Sequence, residues 1–126
     1  MRVALGSDHG GYELKKAILK HLEAQGVEVY DLGTHSTDSV DYPAYGFAVG
    51  HAIIKGEADL GIAICGTGQG ISMAANKISG IRAAVCTETF SARMAREHNN
   101  ANVFNTGWQS DWCWACSRHC GHIFKN

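Results

Sequence analysis

The chain has 126 residues, 45% of them hydrophobic, and a formal net charge of -1. That length supports one domain with a buried core, while scattered basic residues at near-zero net charge exclude the electrostatic footprint of a nucleic-acid binder or an acidic-membrane binder. No apolar run is long enough for a membrane span or a signal peptide, and five cysteines, an odd number, argue against a disulfide framework, so a cytoplasmic protein acting on a small ligand is expected.

Residues 2–5 read as a first strand, and Gly6, Ser7, Asp8, His9, Gly10 and Gly11 as the turn after it. Asp8 and His9 then lie at a strand's carboxyl end, where open α/β sheets bind ligands; a helix N-cap and a surface loop position are the plainer alternatives. Over residues 12–25 the apolar Leu14, Ile18 and Leu22 fall four apart, one face of an amphipathic helix that Gly26 stops. Residues 27–30 form a second strand and 31–42 a polar loop, with Pro43 near the start of the next helix. Ala48, Val49, Ala52 and Ile53 mark that helix over 45–55, and Gly56 ends it.

The apolar run 60–64 is a third strand that feeds Cys65, Gly66, Thr67, Gly68, Gln69 and Gly70, after which 71–76 reads as helix. A glycine-rich strand-to-helix junction exposes backbone N–H groups at a helix start, a setting that suits a phosphate or an enediolate oxygen beside the Cys65 sulfur. Taken alone the loop is a weak signal, equally a plain turn with a buried cysteine. Residues 81–86 are a fourth strand with Cys86 structural at its end. Thr87 is a candidate N-cap for a helix over 88–97 that closes in His98, Asn99 and Asn100. His98 is open to a second reading as a helix C-terminal residue held by the dipole. Strands alternating with helices, the strands nearly continuous in apolar residues, indicate an α/β fold: a Rossmann-like three-layer α/β/α arrangement on a parallel sheet of about five strands.

With Ser7-Asp8-His9-Gly10-Gly11, the run from Cys65 to Lys77, Gly80-Ile81-Arg82-Ala83-Ala84 and His98-Asn99-Asn100-Ala101-Asn102 in order, the chain resembles ribose-5-phosphate isomerase type B over residues 1 to about 103. The resemblance implies interconversion of ribose 5-phosphate and ribulose 5-phosphate without metal or cofactor, by a homodimer whose active site lies at the subunit interface. It implies that Cys65 is the base moving a proton between C2 and C1, with the thiolate as the competent form. His98 then opens the furanose ring, and Thr67 counts with these two among the catalytic positions. Asp8, His9 and Asn99 match substrate-binding positions, and Gly66, Thr67, Gly68, Gln69 and Gly70 the anion hole for a cis-enediolate. Related branches act on allose 6-phosphate or galactose 6-phosphate.

From Phe104 the chain departs from that pattern, so residues 1–103 are read as the isomerase domain and 104–126 as an atypical tail of it. Trp108, Trp112 and Trp114 fall within seven residues, followed by Cys116, His119, Cys120 and His122. One reading is a zinc knuckle on Cys113, Cys116, Cys120 and a histidine. The preferred reading is a displaced reading frame: moved by one base, every Trp codon becomes a glycine codon, and a strand, a glycine turn and an apolar helix are recoverable. The family's substrate-binding arginine would then stand at 109, where this chain has Gln109, and two further phosphate-binding arginines fall beyond residue 126. Each such contact contributes on the order of 1.5 to 3 kcal/mol, so weakened substrate binding is expected. A catalytically silent sugar-phosphate binder is the competing class.

Overall fold

The computed structural model describes residues 1–33 and 42–107. Five parallel strands, β1 (Arg2–Ser7), β2 (Glu28–Asp31), β3 (Leu60–Cys65), β4 (Ala83–Val85) and β5 (Val103–Gly107), lie in the order β2-β1-β3-β5-β4. A short 3-10 turn (His9–Gly11) leads into α1 (Tyr12–Ala24); α2 (Tyr42–Ile54), α3 (Gln69–Ala75) and α4 (Thr89–Asn99) follow in their crossovers. Among the described residues, no helix is long and apolar enough to cross a membrane.

Strand alternation divides the core in two, because successive residues point to opposite faces of a sheet. Val3, Leu5, Leu60, Ile62, Ile64 and Phe104 face Ile18 and Leu22 of α1 and Ala92 and Ala95 of α4. Ala4, Ala63, Cys65 and Val103 face Val49 and Ala52 of α2 and Ile71 and Ala75 of α3. The middle strand β3 is buried along its whole length, as a strand covered on both faces must be, and this is the expected three-layer α/β/α arrangement.

The expected elements are all present, with shifted ends. β1 runs on through Gly6 and Ser7, which the sequence gives to a turn: a Cβ on Gly6 would meet Val49 at 3.0 Å, so the glycine lets α2 lie close against the strand. β4 shrinks to Ala83–Val85, and Glu88 replaces Thr87 as the cap of α4, its carboxylate accepting from the Phe90 and Ser91 amides at 2.7 and 2.9 Å. β5 crosses the boundary drawn at 103. Gln109, the tryptophans and the cysteines and histidines of the tail lie outside the described residues.

The topology creates one switch point. From β1 the chain leaves through α1 toward β2 on one side, and from β3 it leaves through α3 toward β4 and β5 on the other. The carboxyl ends of β1 and β3 therefore border a crevice, the place where open α/β sheets bind ligands.

Candidate active site

Cys65 closes β3 and is 6% exposed. The chain then turns through residues 66–68, and Gly68 adopts a left-handed φ of 85° as it caps α3. This turn aims the Gly68 N–H at the sulfur, donating to Cys65 Sγ at 3.2 Å. The Thr67 hydroxyl accepts from the Gln69 amide at 3.3 Å, and both side chains are exposed.

Sequence reading missed what holds this loop in place. A Cβ on Gly107, at the end of β5, would stand 2.4 Å from the Gly66 carbonyl oxygen and 2.5 Å from Thr67 Cα. One on Gly68 would stand 3.0 Å from the Thr106 carbonyl carbon. Two glycines thus let the loop lie directly on the end of β5. The signal was only a lone Gly107 in a segment without periodicity.

Asp8 and His9 follow β1 and are half-buried. The Asp8 amide donates to the Ile64 carbonyl at 2.9 Å, so this turn is fastened to β3 one residue before Cys65. Asp8 Oδ1 caps the short 3-10 turn, accepting from Gly11 N at 2.9 Å, so the plainer capping alternative holds. Gly11 fits only as glycine, since a Cβ would meet Ile64 at 2.7 Å.

A partly buried ion pair braces the same edge from β2. Lys15, 1% exposed, donates to Asp31 Oδ1 at 2.7 Å; the same oxygen accepts from Gly33 N at 3.0 Å, and the Gly33 carbonyl accepts from Ser7 N at 2.8 Å. Lys15 is a structural cation, a role the sequence does not signal.

Burial, with a smaller contribution from the Glu88 charge, pushes the Cys86 thiol up to about 11, so it stays neutral at physiological pH. This agrees with its structural reading.

His98 and Asn99 do not join this cluster within one chain. Both sit exposed in the last turn of α4, which leaves β4 at the carboxyl edge and returns the chain to the amino edge, where β5 begins at Val103 opposite Gly61 and Ala83. Cys65 lies opposite Gly107 at the other end of the same strands, about 13 Å of β3 away. Among the described residues neither the His98 ring nor the Asn99 side-chain amide makes a hydrogen bond.

The sequence profile of the Ribose/Galactose Isomerase family matches residues 3–110. The chain belongs to this family. It is 53% identical over 106 residues to ribose-5-phosphate isomerase B of Escherichia coli, covering 84% of this chain and 71% of that protein. It is 43% identical over 107 residues to galactose-6-phosphate isomerase subunit LacB of Clostridium acetobutylicum, covering 85% and 62%. Among solved structures, ribose-5-phosphate isomerase B of Clostridium thermocellum superposes with a TM-score of 0.86 at 47% identity, over 99% of this chain and 94% of that one. The Mycoplasma genitalium enzyme, solved with bound ribulose-5-phosphate, superposes at 0.83 with 36% identity, over 98% and 92%. The family match runs past 103 and takes in β5, so the Ribose/Galactose Isomerase pattern persists into the first residues of the atypical segment.

Proposed function

We propose that this chain interconverts ribose 5-phosphate and ribulose 5-phosphate by proton transfer through a cis-enediolate. The Cys65 thiolate takes the proton from C2 of the open-chain aldose and returns it to C1, while a proton passes from the C2 hydroxyl to the C1 oxygen. The Gly68 N–H donating to the sulfur at 3.2 Å is the observation that supports this most directly, because it holds the sulfur against the loop whose amides would take the developing charge. The backbone of Gly66, Thr67, Gly68, Gln69 and Gly70 takes the charge that develops on the enediolate oxygen, with the Thr67 hydroxyl exposed beside it. Asp8 and His9, tied to β3 through the Ile64 carbonyl, contact the sugar. No cofactor enters the reaction, and a reducing cytoplasm suits a site that depends on a free thiol.

His98 opens the furanose ring and Asn99 binds the sugar, but for a neighbouring chain. Their place at the amino edge of the sheet, opposite Cys65, supports a homodimer in which the last turn of α4 in one protomer completes the Cys65 crevice of its partner.

The test is isomerisation of ribose 5-phosphate by the purified chain beside Cys65→Ala. Turnover that disappears in the variant is the expected result; turnover that survives it removes Cys65 as the base. The LacB relative motivates a second reading, and comparing ribose 5-phosphate with galactose 6-phosphate and allose 6-phosphate as substrates separates the two. Thermal stabilisation by sugar phosphate without turnover would instead mark a silent binder.

A further inference from the structure

We infer that Arg82 is a positioning residue for the half-site carried by α4, holding the His98–Asn99 corner from the side of β4. The inference rests on the role given above to His98 and Asn99.

A helix end leaves its last carbonyls without intrahelical partners, and α4 ends at a corner that must turn sharply into β5. Asn100 makes that turn in a left-handed conformation, φ 53°. Two guanidinium groups brace this corner, and one of them takes up an orphaned helix carbonyl. Arg82 Nε donates to the Asn99 carbonyl at 2.7 Å. Arg96 Nη1 donates to Asn100 Oδ1 at 3.0 Å and to the Ala101 carbonyl at 2.8 Å. Cations at a helix C-terminus are also favoured by its dipole.

Arg96 belongs to α4 itself and moves with it. Arg82 does not: its own amide donates to Asn102 Oδ1 at 2.8 Å, Asn102 Nδ2 donates to the Gly80 carbonyl at 2.9 Å, and the Asn102 amide donates to the Arg82 carbonyl at 3.0 Å. The next residue, Ala83, is gripped at both backbone groups by Asn76, donating to Asn76 Oδ1 at 2.7 Å and accepting from Nδ2 at 2.9 Å. Arg82 thus transmits the rigidity of the β4 entrance to the exposed pair His98 and Asn99. Arg82, Asn76 and Asn99 line one cavity of about 280 Å³, which puts the clamp and the substrate-facing amide on the same surface. A backbone carbonyl held by an outside donor fixes where both side chains are presented to a partner chain.

The test uses Arg82→Ala and Arg82→Lys in the full chain, each alone and combined with His98→Ala. Arg82→Lys keeps a cation near the helix end but lacks the Nε donor, and it serves if Arg82→Ala does not fold. Loss of positioning predicts a kcat lowered roughly 10- to 100-fold, and little or no further loss when Arg82 is changed in the His98→Ala background. Faster amide hydrogen exchange over residues 99–101, with β3 unchanged, is expected in both Arg82 variants. Full additivity with His98→Ala, or unaltered exchange at that corner, overturns the inference. If the unsubstituted chain isomerises no sugar, the isomerase reading fails by itself. The exchange measurement then decides the clamp alone: quickened exchange at 99–101 upholds it and unaltered exchange overturns it.

Discussion

Cys65 and His98 stand at opposite edges of one parallel sheet: Cys65 ends β3 in register with Gly107, and His98 lies in the turn of α4 that delivers the chain to the start of β5. The separation follows from the βαβ crossover itself, since a helix joining parallel strands must run back from the carboxyl edge to the amino edge. The proposed reading, in which both groups act at one site, therefore needs a second chain.

Gly107→Ala tests whether the end of β5 seats the Cys65 loop. The new methyl would meet backbone atoms of Gly66 and Thr67, which have no rotamer through which to yield. We expect a loss of about 1 to 3 kcal/mol in urea denaturation, together with a fall in kcat as residues 66–68 are displaced from the sulfur. Unchanged kcat with lowered stability would separate the packing of the loop from its chemistry.

β5 also shows what the sequence hides. The apolar runs of β1 and β3 and the four-residue spacing of Leu14, Ile18 and Leu22 made those elements legible, since burial there is purchased with hydrophobic side chains. β5 is fully buried too, yet it carries Asn105 and Thr106, both 0% exposed, and no strand was located there from its own residues. Strand order was equally unreadable, because hydrophobic pattern says which residues are buried and not which strands are neighbours. Asp8, Cys65 and the glycine loop were legible as positions at strand ends. Lys15, Gly107 and Arg82 were not, since their roles arise only from contacts between segments distant in sequence.

Among the described residues, the Thr106 hydroxyl oxygen is buried without a hydrogen-bond partner, as is Asn105 Oδ1. Such a group costs about 1 to 3 kcal/mol relative to an apolar one of the same shape. Thr106→Val keeps the volume and removes the hydroxyl, so the midpoint of urea unfolding should rise. A fall would mean that the hydroxyl has a partner.

Two groups contribute to opposite limbs of the stability profile. Hydrogen bonds from Ser91, then from the Phe90 amide, hold the Glu88 carboxyl below its ordinary value of 4.5. Its cap on α4 is at full strength above that value and is lost as pH falls from there through the lower value of the folded chain. Burial raises the Cys86 thiol from 9.0 to about 11, so between those values the unfolded chain gives up a proton that the folded chain keeps, and stability falls as pH rises. In denaturation midpoints measured across pH, Glu88→Gln should flatten the acid limb and Cys86→Ala the alkaline limb.

The most direct measurement is complementation between Cys65→Ala and His98→Ala chains. Each variant alone lacks one essential group at every site. In a dimer that shares its sites, a mixed pair has one site with both groups intact and one with neither. Equal co-expression should then restore about a quarter of the unsubstituted activity, since half of the dimers are mixed and each has one working site. Activity no higher than that of the separate variants, in a sample shown to contain mixed dimers, would contradict a site built across two chains.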